Sequence, residues 1–258
     1  MDITTGPQDN AHRIFESPNA TGVNLTQADL LRNYVFMTLG ARADHVYENT
    51  WRPMERQLGL ENLEGLARLD LQRRGQEVTR DEVYFAQRSR LDKFAHNLDA
   101  IENEVKDLAL RAHHYKKLLD PSPETEPDPL VRRHLAFLRR WGATTSYPLL
   151  MHVYDAYDKG DCTIEQLRRV VGYVESLIVR RHLAAVPTNF LNKLFVAAID
   201  QLPRNLPIDE AVHQTLSAPR RYWASDEKLR SASGMGTRLD RAYPLRSAAP
   251  CKNHLAKP

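Results

Sequence analysis

The chain has 258 residues, 42% hydrophobic and 27% charged, with a net charge of +3. That is enough to bury one or two cores, and no apolar run approaches the length of a membrane span. The two cysteines, Cys162 and Cys251, make neither a metal-binding spacing nor a disulfide framework, which points to a reducing, cytoplasmic setting. The mild positive charge permits contact with DNA without arguing for it. The first ten residues, MDITTGPQDN, lack the basic and apolar regions of a signal peptide.

Arg13, Ile14 and Phe15 read as a short strand. Ser17 to Gly22 is turn chemistry, with Gly22 free to take positive φ. Thr26 is the expected N-cap of the next helix, with Asp29 at the capping-box offset. Leu30, Tyr34 and Met37 are expected to share its buried face, widened by Leu31, Val35 and Leu39, and Gly40 to end it. Helices are then predicted from Arg42 to Leu58 and from Glu61 to Arg74, with Gly59 and Gly75 as punctuation. Thr79 and Glu82 form the capping box of another.

From Leu91 to Leu119 the apolar residues Leu91, Phe94, Leu98, Ile101, Val105, Leu108, Ala112, Tyr115 and Leu119 alternate steps of three and four. This heptad seam predicts one uninterrupted helix, roughly 40 Å long. It is read first as a helix packed in a bundle, with a coiled coil joining two copies through residues 91–119 as the alternative. DPSPETEPDP, Asp120 to Pro129, then reads as an extended, solvated linker between subdomains.

A second helical block follows. Leu130 to Trp141 carries an apolar stripe with Arg132, Arg133, Arg139 and Arg140 beside it. Tyr147 to Tyr157 is another helix. Thr163 and Gln166 cap a third, whose core face runs from Leu167 to Ile178. Pro187 to Asn189 opens the helix bearing Leu191, Leu194, Phe195 and Ala198, and Asp209 to Leu216 is a short one. The aperiodic basic tail, residues 234–258, reads as largely disordered. The expected units are 1–40, 41–119, the linker 120–129, 130–233 and the tail, in a mainly α protein.

No P-loop, GxGxxG or GxSxG is present. His113 and His114 are neighbours about 100° apart on a helix, so they cannot share one metal and are expected at the surface. His45, His96, His134, His152 and His182 stand singly. Asp99, Glu102, Glu104 and Asp107 read as a solvated helix face. Arg180 and Arg181 suit the C-terminal dipole of their helix, with a phosphate contact as the alternative reading. Trp51, Trp141 and Trp223 are too dispersed for a base-stacking platform and read as core anchors. Asn19 and Gly22, in a tight turn before a helix, offer backbone N–H groups to an anion, a weak local signal.

IFESPNATGVNLTQADLLRNYVFM, Ile14 to Met37, resembles the segment IFExLNxxGxxLxxADLxxNxxF of the GmrSD-type restriction proteins. Ile14, Phe15, Glu16, Asn19, Gly22, Leu25, Ala28, Asp29, Leu30, Asn33 and Phe36 match. SLIVRRHLAAVPTNFLNKLF, from Ser176, and RRYWASDEKLRSA, from Arg220, are similar to the helical region that such proteins carry next. Pro18 departs from the family's usual leucine. The resemblance implies that residues 1–40 hold a strand–turn remnant of a ParB/sulfiredoxin-like nucleotide domain, with Asn19, Gly22, Asp29 and Asn33 as its contact residues, joined to a helical bundle. In the family a DGQQR motif upstream serves nucleotide hydrolysis and an HNH-type nuclease lies downstream. Together they cleave modified foreign DNA with NTP and a divalent metal. Neither motif occurs here, so the chain is expected to be a fragment without catalytic residues, metal ligands or cofactors of its own. Its partners would be DNA and the remaining parts of a split enzyme, with no membrane. A frameshift near Gly234 would account for the loss of the pattern there.

Overall fold

The computed structural model describes residues 25–94, 96–218, 223–227 and 229. The expected strand and turn, with Asn19 and Gly22, and the tail from Gly234 lie outside them. The described chain is mainly helical, with no strand among the described residues. In order the helices are α1 (Gln27–Leu39), α2 (Ala43–Val46), α3 (Arg52–Leu58), α4 (Leu60–Gln72), α5 (Val83–Leu91), α6 (Leu98–Leu119), α7 (Pro129–Arg140), α8 (Tyr147–Asp158), α9 (Ile164–Leu183), α10 (Leu191–Asp200) and α11 (Ile208–Ser217).

Local chemistry sets many of these boundaries. At the start of α1 the Asp29 N–H donates to Thr26 Oγ1, and Asp29 Oδ2 accepts from the Thr26 N–H, both at 3.1 Å. The Thr79–Glu82 and Thr163–Gln166 boxes are formed in the same reciprocal way. Such caps satisfy N–H groups that a helix leaves without partners. Gly40, Gly59 and Gly75 sit at φ of 54°, 81° and 84° and stop helical runs. Between α2 and α3 the backbone widens into a single π turn, Tyr47–Trp51, in which the Arg52 N–H reaches back to the Tyr47 carbonyl.

Two helices organise the rest. α6, about 33 Å long at 1.5 Å per residue, packs on α1, α3, α4, α7 and α8. α8 has every residue from Tyr147 to Asp155 buried except half-buried His152. It touches α4, α6, α9 and α10. α9 in turn packs on α7 and α11. One apolar cluster runs from Ala28 on α1, through Ile101 and Val105 on α6 and Leu149 and Leu150 on α8, to Leu216 on α11. The two expected subdomains therefore share a core.

Four expectations need correction. The helix predicted from Leu91 to Leu119 is broken. A 3₁₀ turn, Asp92–Phe94, follows α5, and α6 starts afresh at Leu98, where Asn97 Oδ1 accepts from the Ala100 N–H at 3.1 Å. The asparagine side chain caps a new helix where the apolar spacing alone would have carried the old one on. Second, the seam is covered by the chain itself. Ile101, Val105, Ala112 and Tyr115 are buried, but so are Arg111, His114 and Leu118 beside them. That face is too wide for a two-stranded seam and belongs to a bundle helix with several neighbours. Third, the α1 face is rotated: Ala28, Leu31, Tyr34, Val35 and Leu39 are buried, while Met37 is 38% exposed. The direction of that face is set by α5 and α6, which both pack on α1. Fourth, residues 120–128 form a docked strap, not a solvated linker. Glu126 is 3% exposed and accepts from Tyr154 Oη at 2.8 Å, with Lys117 Nζ at 3.4 Å.

Candidate functional site

The densest buried chemistry lies where α4, α5, α6 and α8 meet. Asp70, at the end of α4, accepts from Arg73 Nη2 at 2.6 Å and from Gln87 Nε2 at 3.1 Å. Arg73 also binds Asp155 of α8 through Nη1. Arg111 of α6 places Nε 3.2 Å from the other Asp155 oxygen, an ion pair without hydrogen-bond alignment. Arg90 ties the cluster to Glu104 at 2.5 Å, and the Arg73 carbonyl accepts from His152 Nδ1 at 3.1 Å. All four of Asp70, Arg73, Arg111 and Asp155 are buried. Two carboxylates and two guanidiniums balance in charge, which is the condition for ions to persist in a core.

The fields at this cluster have a clear sign. Burial pushes the Asp70 carboxyl upward, but Arg73, Arg74, Arg90 and the Gln87 amide outweigh it and hold the pKa down to about 2. At about 1.4 kcal/mol per pH unit, that depression stabilises the fold by roughly 2–3 kcal/mol. The folded pKa lies below the unfolded one. The contribution is therefore present above an unfolded pKa of about 3.9 and is lost as the pH falls through the folded value. Urea midpoints are expected to fall across that acid window, and Asp70→Asn to flatten the fall. An acid limb unchanged in that variant would contradict the assignment.

A second buried group sits one helical turn further along α6. His114 Nε2 donates to Asp158 Oδ2 at 2.7 Å, and its ring stacks on Tyr154 at 4.9 Å. Burial lowers the His114 pKa against the pull of Asp158, so the ring is neutral near pH 7. His114 is thus a core residue, contrary to the surface position expected; His113 is exposed and contacts Gln57 at 2.8 Å. Tight packing leaves this cluster a structural role. Cys162 is likewise buried, and desolvation pushes its thiol up to about 11. Trp51 is a core anchor, as expected, while Trp141 and Trp223 are partly buried against the core.

The remaining sequence candidates fall apart spatially. Asp29 serves its cap and pairs with Arg32 at 3.3 Å. Asn33, half-buried on α1, belongs to no polar cluster among the described residues. Glu104 and Glu102 are only 19% and 18% exposed, paired with Arg90 and Lys106, so the acidic face of α6 is partly an internal lattice. No group of three or more His, Cys, Asp or Glu residues placed to hold a metal occurs among the described residues. No described helix is long and apolar enough to cross a membrane.

The arginines of α7 and α9 separate into two sets. Arg180 lies over the Trp223 ring at 5.5 Å, pairs with Asp226 at 2.7 Å and donates to the Ala224 carbonyl at 2.8 Å. Arg181 is buried and donates to the Pro187 carbonyl at 2.7 Å. Both are engaged inside the chain, so neither is held out toward a phosphate. Arg168 and Arg169 pair with Asp128 and Asp209 at 2.5 and 2.6 Å. Arg132 donates to the Glu126 carbonyl, and Arg139 lies 3.4 Å from Asp120. Arg133 and Arg140 are exposed and have no partner among the described residues. They stand seven residues apart, so they share one face of α7, opposite buried Val131, Leu135 and Leu138. Phe137 lies between them and stacks on Trp141 at 5.1 Å, and His182 of α9 meets Trp141 edge-on at 5.0 Å. The sequence could not separate these two arginines from their neighbours, because the competing carboxylates and carbonyls come from other elements. Against families of known proteins, curated proteins and solved structures, the chain finds no match.

Proposed function

We propose that the chain is the helical, DNA-contacting module of an NTP-dependent restriction protein that acts on modified DNA, and that nucleotide hydrolysis and strand cleavage belong to other parts of that protein. The family reading rests on the motif residues from Ile14 to Phe36. The DNA reading is carried by one observation: the unpartnered Arg133 and Arg140 flank Phe137 on the outer face of α7. Their Cα atoms are separated by about 10 Å along the helix. A flexible cation pair of this kind neutralises backbone phosphates and leaves base sequence unread.

Anisotropy of a labelled DNA duplex, titrated at several salt concentrations, tests this surface. The double variant Arg133→Gln/Arg140→Gln is expected to weaken binding evenly across sequences and to reduce the slope of log K against log salt by about 2. Absent binding, or a slope that the double variant leaves unchanged, defeats the DNA reading. NTP turnover by the purified chain that Asn19→Ala abolished would defeat the modular reading separately.

A further inference from the structure

A groove of about 330 Å³ runs along α4, closed by α6, by the turn that precedes α8 and by the start of α10. Its polar lining is unusual in this molecule, where most charged groups are paired. Arg68 projects from the middle of α4 and has no ion pair or hydrogen bond among the described residues. The neighbouring Glu64 is held by Arg80. The Tyr115 hydroxyl enters from α6 and also has no hydrogen-bond partner among the described residues.

Gly65 explains how these donors come together. A Cβ at this position would lie 2.6 Å from Tyr115 Oη, so only glycine lets the phenol rest directly on α4. That contact stands one helical turn from Arg68 on the same face. A guanidinium and the Tyr115 hydroxyl therefore line one space, beside the apolar Leu69, Leu119 and Pro148. Hydroxyls and guanidinium N–H groups together are the donors that bind oxyanions. Glu61 sits two turns away, about 10 Å along the helix, and also lines the groove. Its carboxylate disfavours a second negative group at that end.

We infer that this groove binds a small organic oxyanion, a phosphate monoester or a carboxylate, whose charged head lies against Arg68 and Tyr115 and whose apolar body rests on Leu69, Leu119 and Pro148. The site is distinct from the outer face of α7 and does not depend on the DNA reading. Phenyl phosphate and benzoate are suitable probes, because they present the two head groups on the same apolar ring.

The test follows the Tyr115 ring resonances by NMR during titration of the full chain with each probe. Saturable shifts with at least one probe are expected, weakened at least tenfold by Arg68→Gln. Arg68 has no partner to lose, so that variant keeps its fold. Arg68→Lys provides a second variant that keeps the charge and is expected to retain part of the affinity, and Arg133→Gln/Arg140→Gln is expected to leave it unchanged. A response to phenyl phosphate alone identifies the head group as phosphate, and a response to benzoate alone identifies it as carboxylate. Silence with both probes, or equal affinity in Arg68→Gln, overturns the inference.

Discussion

Asp155→Ala is expected to destabilise the protein by about 3–5 kcal/mol, the cost of removing one partner from a buried ion pair. The lost side chain is small, so the cavity it leaves is the minor part. The larger part is charge. Arg73 and Arg111 would remain buried with Asp70 as their shared anion, and Arg111 Nε is 3.8 Å from that carboxylate. Two guanidiniums facing one carboxylate in a core have nowhere to be hydrated. Urea unfolding near neutral pH measures the loss. A change under about 1 kcal/mol would mean that water reaches the cluster, since exposed pairs contribute about that much. Replacing Asp155 and Arg111 together with apolar residues of similar volume is expected to recover much of the stability, because it removes the stranded charge along with its partner.

Trp51→Ala is expected to cost about 3–5 kcal/mol, through the cavity left by a large side chain. Trp51 is 2% exposed and meets the Phe36 ring edge-on at 5.4 Å. Its indole N–H donates to Glu55 Oε1 at 2.7 Å, and Arg32 reaches the same oxygen at 3.4 Å. The polar end of the ring therefore helps fasten α1 to α3. Trp51→Phe keeps much of the ring volume and loses the N–H, so it is expected to cost only about 1 kcal/mol from the missing hydrogen bond. Equal losses in the two variants would show that the hydrogen bond dominates. Thermal unfolding followed by circular dichroism separates these outcomes.

The start and stop signals of helices were legible in the sequence because they are short-range. Thr26 with Asp29, Thr79 with Glu82, and Thr163 with Gln166 each close a cap within three residues. Gly40 and Gly59 end helices through a backbone conformation that needs no tertiary partner. The break at Asn97 was hidden because Leu91, Phe94 and Leu98 keep helical spacing across it. The strap is hidden for the opposite reason. Its acids and prolines look solvated until Tyr154, 28 residues away, supplies a buried partner for Glu126. The candidate surfaces were less legible still. Arg133 differs from Arg132 only in which atoms lie opposite it, and Arg68 acquires its setting from a tyrosine on another helix. The core cluster is hidden in the sequence for the same reason. Asp70 and Arg73 come from the end of α4, Arg111 from α6 and Asp155 from α8, with no spacing that announces them.

The π turn from Tyr47 to Trp51 has a consequence for how this segment tolerates changes in length. An α-helical bond spans four residues, and the Arg52 N–H bond to Tyr47 spans five. The turn thus holds one residue more than a regular helix would use for the same advance. Deleting one residue there would restore ordinary winding. Winding the same residues as a regular α-helix, with none deleted, would instead swing everything on one side by about 100° relative to the other. Val46 and Trp51, both inside the core now, sit on opposite sides of that phase step. The extra residue acts as a phase corrector: it lets one continuous coil present two apolar faces whose spacing a uniform helical period would not bring into line.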